Sequence, residues 1–119
     1  MPTSESRLRV KRDGGVIQVQ FRDRNILDEA NIQQIGEEIK QIIEAEPKPK
    51  LLIDFHEVDH LSSAALGTLI TINNQIRTLQ GQLRLSNIDP QIYQVFLITR
   101  LNKLFEIHET TEKAIASFR

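Results

Sequence analysis

At 119 residues the chain has the length of one ordinary domain and can bury one hydrophobic core. It contains no cysteine and no tryptophan, and its formal net charge is −1. Those facts exclude disulfides, thiolate catalysis and cysteine-based metal sites, give no electrostatic case for nucleic acid or an anionic membrane surface, and leave few aromatic rings on which bases could stack.

The chain opens on a polar segment, Met1 to Arg7, that lacks an apolar signal core. Nowhere does it approach the ~20 consecutive apolar residues needed to span a bilayer. The expectation is a soluble cytoplasmic protein with a short polar tail ahead of a single domain core spanning residues 7–118. Leu8 and Val10 alternate with Arg9, Lys11 and Arg12, which predicts a half-exposed strand with a solvated basic face. Asp13-Gly14-Gly15 signals a turn, and Ile17, Val19 and Phe21 alternate with Gln18 and Gln20 in a second strand, completing a hairpin. Arg22 to Asn25 reads as a charged connection.

Asp28 is placed to cap a helix that runs to Ala45, with Ile32, Ile35, Ile39, Ile42 and Ile43 on one buried face. Gly36 is a weak point inside it, costing about 1 kcal/mol against Ala. Pro47 and Pro49 end the helix. Leu51 to Phe55 is a continuous apolar run, which predicts a central strand covered on both faces. A second helix is predicted over residues 63–80, packing through Ala65, Leu66, Leu69, Ile70, Ile76 and Leu79, with Gly81 as its left-handed cap. Leu83 and Leu85 mark a fourth strand. Asp89-Pro90 opens a short helix through Val95, Phe96 and Ile98. Leu104 to Ile107 is a candidate edge strand, and Thr110 with Glu112 opens a last helix. The predicted class is α/β: a mixed sheet of four to five strands with about four helices packed against it.

Two features between Leu51 and Gly67 bear on function. His56-Glu57-Val58-Asp59-His60 matches the letters of the zinc-hydrolase signature H-E-x-x-H. That signature needs a helix, where residues i and i+4 share a face and reach one ion. Here it follows an apolar strand, and in an extended chain residues four apart are separated by roughly 13 Å. No metal, cofactor or catalytic role is therefore expected. The second feature is Ser62-Ser63, at the change from strand to helix. Ser62 suits the N-cap, a role worth ~1 kcal/mol relative to Ala. One cap suffices, so Ser63 would point outward from the first turn. There a phosphoryl group would add about −1.5 to −2 charges at a helix end that tolerates them. A G-x-S-x-G nucleophile elbow is absent, since the residues are Leu61-Ser62-Ser63-Ala64-Ala65.

The segment from Asp54 to Gly67, within this order of elements, resembles the STAS domains of anti-sigma-factor antagonists. Asp54, Val58, Leu61, Ser63 and Leu66 fit the family's pattern, and the stretches Gly81 to Leu85 and Val95 to Phe105 look similar as well. The resemblance implies partner switching. The unmodified protein binds an anti-sigma factor that is also a serine kinase, is released when its serine is phosphorylated, and is restored by a serine phosphatase. Carried onto this chain, the acceptor is Ser63, with Ser62 as the alternative. The implied partner-binding residues are Asp54, His60, Ser62, Ser63, Ala64 and Leu66. The sequence departs from the pattern in two places: Ser62 stands where Asp often precedes the acceptor, and Ala65 where Gly often follows it. Those departures leave open a STAS module that is never phosphorylated and serves as a scaffold or sensor in a larger signalling or transport-regulating assembly.

Overall fold

The computed structural model describes residues 8–118, and the expected polar tail lies outside them. Strands β1 (Leu8–Asp13) and β2 (Val16–Phe21) form the predicted hairpin. Its two-residue loop, Gly14 and Gly15, has positive φ at both positions (58° and 86°), the backbone that joins twisted strands tightly and that glycine adopts without a steric penalty. A two-residue strand β3 (Asn25–Ile26) precedes helix α1 (Glu29–Glu44). Strand β4 (Lys50–Asp54) leads through a turn to a second two-residue strand, β5 (His60–Leu61), and then to helix α2 (Ser63–Thr78). The remainder is β6 (Gln82–Ser86), α3 (Pro90–Ile98), a 3-10 turn over Leu101–Lys103, β7 (Glu106–His108) and α4 (Thr111–Ala116).

The main sheet has the order β1-β2-β4-β6-β7, antiparallel at the hairpin and parallel elsewhere. Side chains alternate across it. On one face Ile17, Val19, Leu51, Ile53, Leu83 and Leu85 meet α1, α2 and α3 in the principal core. On the other, Val16 and Leu52 meet Ala114, with Ile115 and Phe118 packed alongside. Leu51, Leu52 and Ile53 are all fully buried, so β4 is the doubly covered central strand its composition predicts. Each such side chain contributes about 1.5–3 kcal/mol relative to exposure.

The predicted helix caps form. Asp28 accepts from the N–H groups of Ala30 and Asn31, Asp89 from Gln91, and Thr110 from Lys113. Three expectations differ from the structure. The left-handed residue after α2 is Gln80 (φ 60°), not Gly81, and the N–H of Gly81 returns to the Ile76 carbonyl at 2.8 Å. Gly81 is required by space instead, because a Cβ there would collide with the Pro49 carbonyl oxygen. The packing face of α2 is wider than expected: Ile70 and Leu79 pack against the core half-buried, and Ile72 and Asn73 are buried as well. The last strand starts two residues later than expected, since Phe105 turns into the core against Phe96.

Candidate functional site

The site is built outward from the end of β4. Asp54, the last residue of that strand, is 4% exposed. Its Oδ1 accepts from the His56 backbone N–H (2.9 Å) and from Asn87 Nδ2 (2.9 Å). Its Oδ2 accepts from Gln20 Nε2 (2.8 Å) and Thr111 Oγ1 (3.3 Å). A buried carboxylate is costly without such partners, and four donors from four parts of the chain fix the strand end. Phe55 and Val58, both buried, then fold the connection inward, with the Val58 N–H donating to the Phe55 carbonyl at 3.0 Å.

From Asp59 onward the chain runs parallel to Arg24–Ile26. The Asp59 and His60 N–H groups donate to the Arg24 carbonyl (2.7 and 3.2 Å), and Ser62 N–H donates to the Ile26 carbonyl (3.0 Å). Asn25 faces His60 and Ile26 faces Leu61. Side chains reinforce this clasp: Arg24 Nε lies 2.9 Å from Asp59 Oδ2, and His60 Nδ1 lies 2.7 Å from Asn25 Oδ1. An amide oxygen only accepts, so the ring nitrogen donates in that contact.

Helix α2 begins at this clasp. Ser62 Oγ accepts from the Ala65 N–H at 3.2 Å, the cap the sequence predicts. Ser62 is thereby half-buried and occupied, whereas Ser63 and Ala64 are exposed. The first N–H groups of α2 point out beside Ser63 with no intrahelical acceptor, as at every helix start. A phosphoryl group there would meet the positive end of a 16-residue helix dipole.

The sequence matches the STAS domain family over residues 7–114. The chain belongs to that family. It is 26% identical over 96 residues to BtrV of Bordetella bronchiseptica, a candidate anti-sigma factor antagonist, covering 81% of this chain and 82% of BtrV. Among solved structures it superposes on an anti-sigma-factor antagonist (STAS) domain protein from Planctomyces limnophilus with a TM-score of 0.84, at 21% identity, over 92% of this chain and 96% of that one. It also superposes on the phosphorylated form of the Bacillus cell fate determinant SpoIIAA, with a TM-score of 0.67 at 19% identity, over 92% and 96% of the two chains. The mixed five-stranded sheet with four helices is therefore the STAS architecture.

Within this STAS domain the six expected contact residues divide by burial. Ser63, Ala64 and His60 are exposed, and Ser62 is half-buried. Asp54 and Leu66 do not present contact area. Asp54 is held inside by its four donors, and Leu66, 7% exposed, faces the core because α2 turns that side to the sheet. Both support the surface from beneath.

His56 and Glu57 lie on the turn after β4, and His60 opens β5, so the H-E-x-x-H letters share no helix face. Among the described residues no three His, Asp or Glu side chains are grouped so as to hold a metal ion. None of the helices formed by those residues is long and apolar enough to cross a membrane.

The strand at Asn25–Ile26 is absent from the sequence reading, which has Arg22 to Asn25 as a charged connection, although Arg24–Ile26 forms half of the clasp. The signal was present: Asn25-Ile26 and His60-Leu61 each place an apolar residue just ahead of a helix cap, Asp28 and Ser62 respectively. Gln20, Asn87 and Thr111 were also missed, because only the fold brings them to Asp54.

Proposed function

We propose that this STAS protein is an anti-sigma-factor antagonist that works by partner switching. The unmodified protein binds an anti-sigma factor with serine-kinase activity, phosphorylation of Ser63 releases it, and a serine phosphatase restores it. The observation that carries this reading is the division of labour between the two serines. Ser62 Oγ is engaged as the N-cap, while Ser63 is exposed at the helix start with no competing role.

The physics favours a switch that leaves the fold intact. A phosphoryl group on Ser63 brings about −1.5 to −2 charges to a helix N-terminus, where negative charge is stabilising. The same group placed in a packed interface adds bulk and a desolvation cost for the partner. The relationship to BtrV, and the existence of a structural relative in phosphorylated form, support the reading. The departure at position 62 is compatible with it, since Ser caps a helix about as well as Asp.

The test is site-localised mass spectrometry of the Ser62-Ser63 peptide, on protein captured from its own cells with its partners. Phosphate on Ser63, absent from the partner-bound fraction, is the expected result. A peptide that is unmodified in every fraction, with a non-kinase partner bound, would replace the switch by a scaffold or sensor role.

A further inference from the structure

Because β3 and β5 pair in parallel, the helices that follow them start side by side. Both helices then return to parallel neighbours, β4 and β6, so α1 and α2 run in the same direction. Between them lies a groove in two connected parts. One, of about 240 Å³, is lined by Glu29, Ile32, Gln33, Ala64 and Thr68, and opens next to Ser63. The other, of about 220 Å³, continues along the helices to Lys40 and Gln75, and shares Ile32, Gln33 and Thr68 with the first. From Ala64 to Gln75 the groove runs roughly 16 Å, about three helical turns.

The two walls differ in chemistry. From Leu61 to Gln75 the α2 segment contains no charged residue. Its threonines are turned inward: Thr68 Oγ1 donates to the Ala64 carbonyl (3.3 Å) and Thr71 Oγ1 to the Gly67 carbonyl (3.2 Å). Thr68 therefore presents its methyl to α1, where a Cβ on Gly36 would lie 3.2 Å from Thr68 Cγ2. That explains the helix-interior glycine, which keeps the groove floor narrow. The α1 wall carries exposed Glu29, Gln33 and Glu37 in one row four residues apart, with the half-buried Lys40 at its far end, so that its acidic part is the stretch nearer Ser63. Among the described residues neither Glu29 nor Glu37 forms an ion pair.

We infer that this groove is the seat of a protein partner's amphipathic helix, about three turns long, with one small apolar stripe and basic residues along one flank. The stripe lies on the uncharged α2 wall at Ala64 and the Thr68 methyl, and the basic flank pairs with Glu29 and Glu37, which stand roughly 12 Å apart along α1. The inference rests on the proposed function, because it extends the surface around Ser63 along the helices. It names the chemistry that such a partner brings.

The probe is a 17-residue alanine-rich helical peptide with lysines along one flank, titrated into the isotope-labelled full chain and followed by amide shifts. The control is the same peptide with glutamate for lysine. The expected result is saturable shifts at Glu29, Gln33, Ala64, Thr68 and Thr71. They should weaken at least tenfold in the Glu29→Lys/Glu37→Lys protein, less in Glu29→Gln/Glu37→Gln, and be absent with the acidic peptide. Equal binding of both peptides, no saturable shift, or shifts centred on the exposed Val95 and Ile98 of α3 would overturn the inference. The peptide carries no kinase, so this outcome is independent of phosphorylation. Groove binding without phosphate on Ser63 in cells would keep the groove and remove the switch, and phosphate without groove binding would do the reverse.

Discussion

The polar groups at Asp54 and Arg84 and those at the start of α2 behave in opposite ways. Asp54 is buried and Arg84 largely shielded, and both are held by several hydrogen bonds. At the start of α2 the side chains of Ser63 and Ala64 are exposed, and Ser63 caps nothing. Arg84 is half of the contrast that sequence does not announce. Its side chain is 11% exposed, with Nε 2.8 Å from both Ser117 Oγ and Glu106 Oε2, and its guanidinium carbon lies 4.9 Å from the centroid of the Phe118 ring. It binds the C-terminal segment to β6 and β7. The comparison teaches that in this fold a polar group that is saturated and buried serves stability. One that is exposed and unengaged, as Ser63 is, contributes little to it.

The largest effect should come from Asp54→Ala. It leaves the His56 N–H, Asn87, Gln20 and Thr111 without their acceptor, and should cost about 3 kcal/mol in urea unfolding at neutral pH. A loss below 0.5 kcal/mol would break the view that this carboxylate anchors the site. Arg84→Met keeps the aliphatic stem but removes the charge-assisted bonds and the ring contact. It should cost about 2 kcal/mol, discounted for the half-exposed Glu106, and leave modification of Ser63 unchanged.

A cap effect of about 1 kcal/mol is expected for Ser62→Ala, while Ser62→Asp should stay within a few tenths of wild type. If the two variants proved equally unstable, the assignment of Ser62 as cap would fail. Ser63→Ala should change stability by less than about 0.5 kcal/mol, being an exposed position away from any buried feature. Yet it should abolish phosphate incorporation. Loss of incorporation in Ser62→Asp with retention in Ser63→Ala would exchange the roles of the two serines.

The smallest effect concerns pH. Burial raises the Glu106 carboxyl, but this is outweighed by the hydrogen bond from His108, the charges of Arg84 and His108, and the contact with Ser117, so its pKa lies below the ordinary 4.5. A lowered carboxyl contributes stability that is complete above its unfolded pKa and is lost as pH falls through the folded value. Wild type and Glu106→Gln should therefore differ slightly at pH 7 and converge below pH 4.5. A difference that grows on acidification would contradict the sign.

Much of the fold was legible because its signals are local. The hairpin follows from Gly14-Gly15 between alternating strands, the three helix caps from Asp28, Asp89 and Thr110, and the central strand from the apolar run after Pro49. Ser63 could be singled out for the same reason, since capping and the first helical turn are set by neighbours in sequence. The clasp of Arg24–Ile26 on Asp59–Ser62 left only a faint local mark, an apolar residue shortly before each helix cap, and its pairing was not legible. Strands of two residues carry no periodicity, and their pairing spans 35 positions. The closed set of donors around Asp54 also escaped, because a single strand does not reveal which neighbours will close over its end. Leu66 stands in the sequence reading both on the packing face of α2 and among the partner contacts, and its burial supports only the first. The Gln80 conformation was missed because glycine is the usual left-handed residue, and here a close approach to Pro49 claims the glycine one position later.

The most direct test of the central claim is the affinity of the captured anti-sigma partner for two forms of the purified protein, unmodified and stoichiometrically phosphorylated on Ser63. Binding at least tenfold weaker for the phosphorylated form, with unchanged thermal unfolding, is the predicted result. Equal affinity of the two forms would contradict partner switching through Ser63.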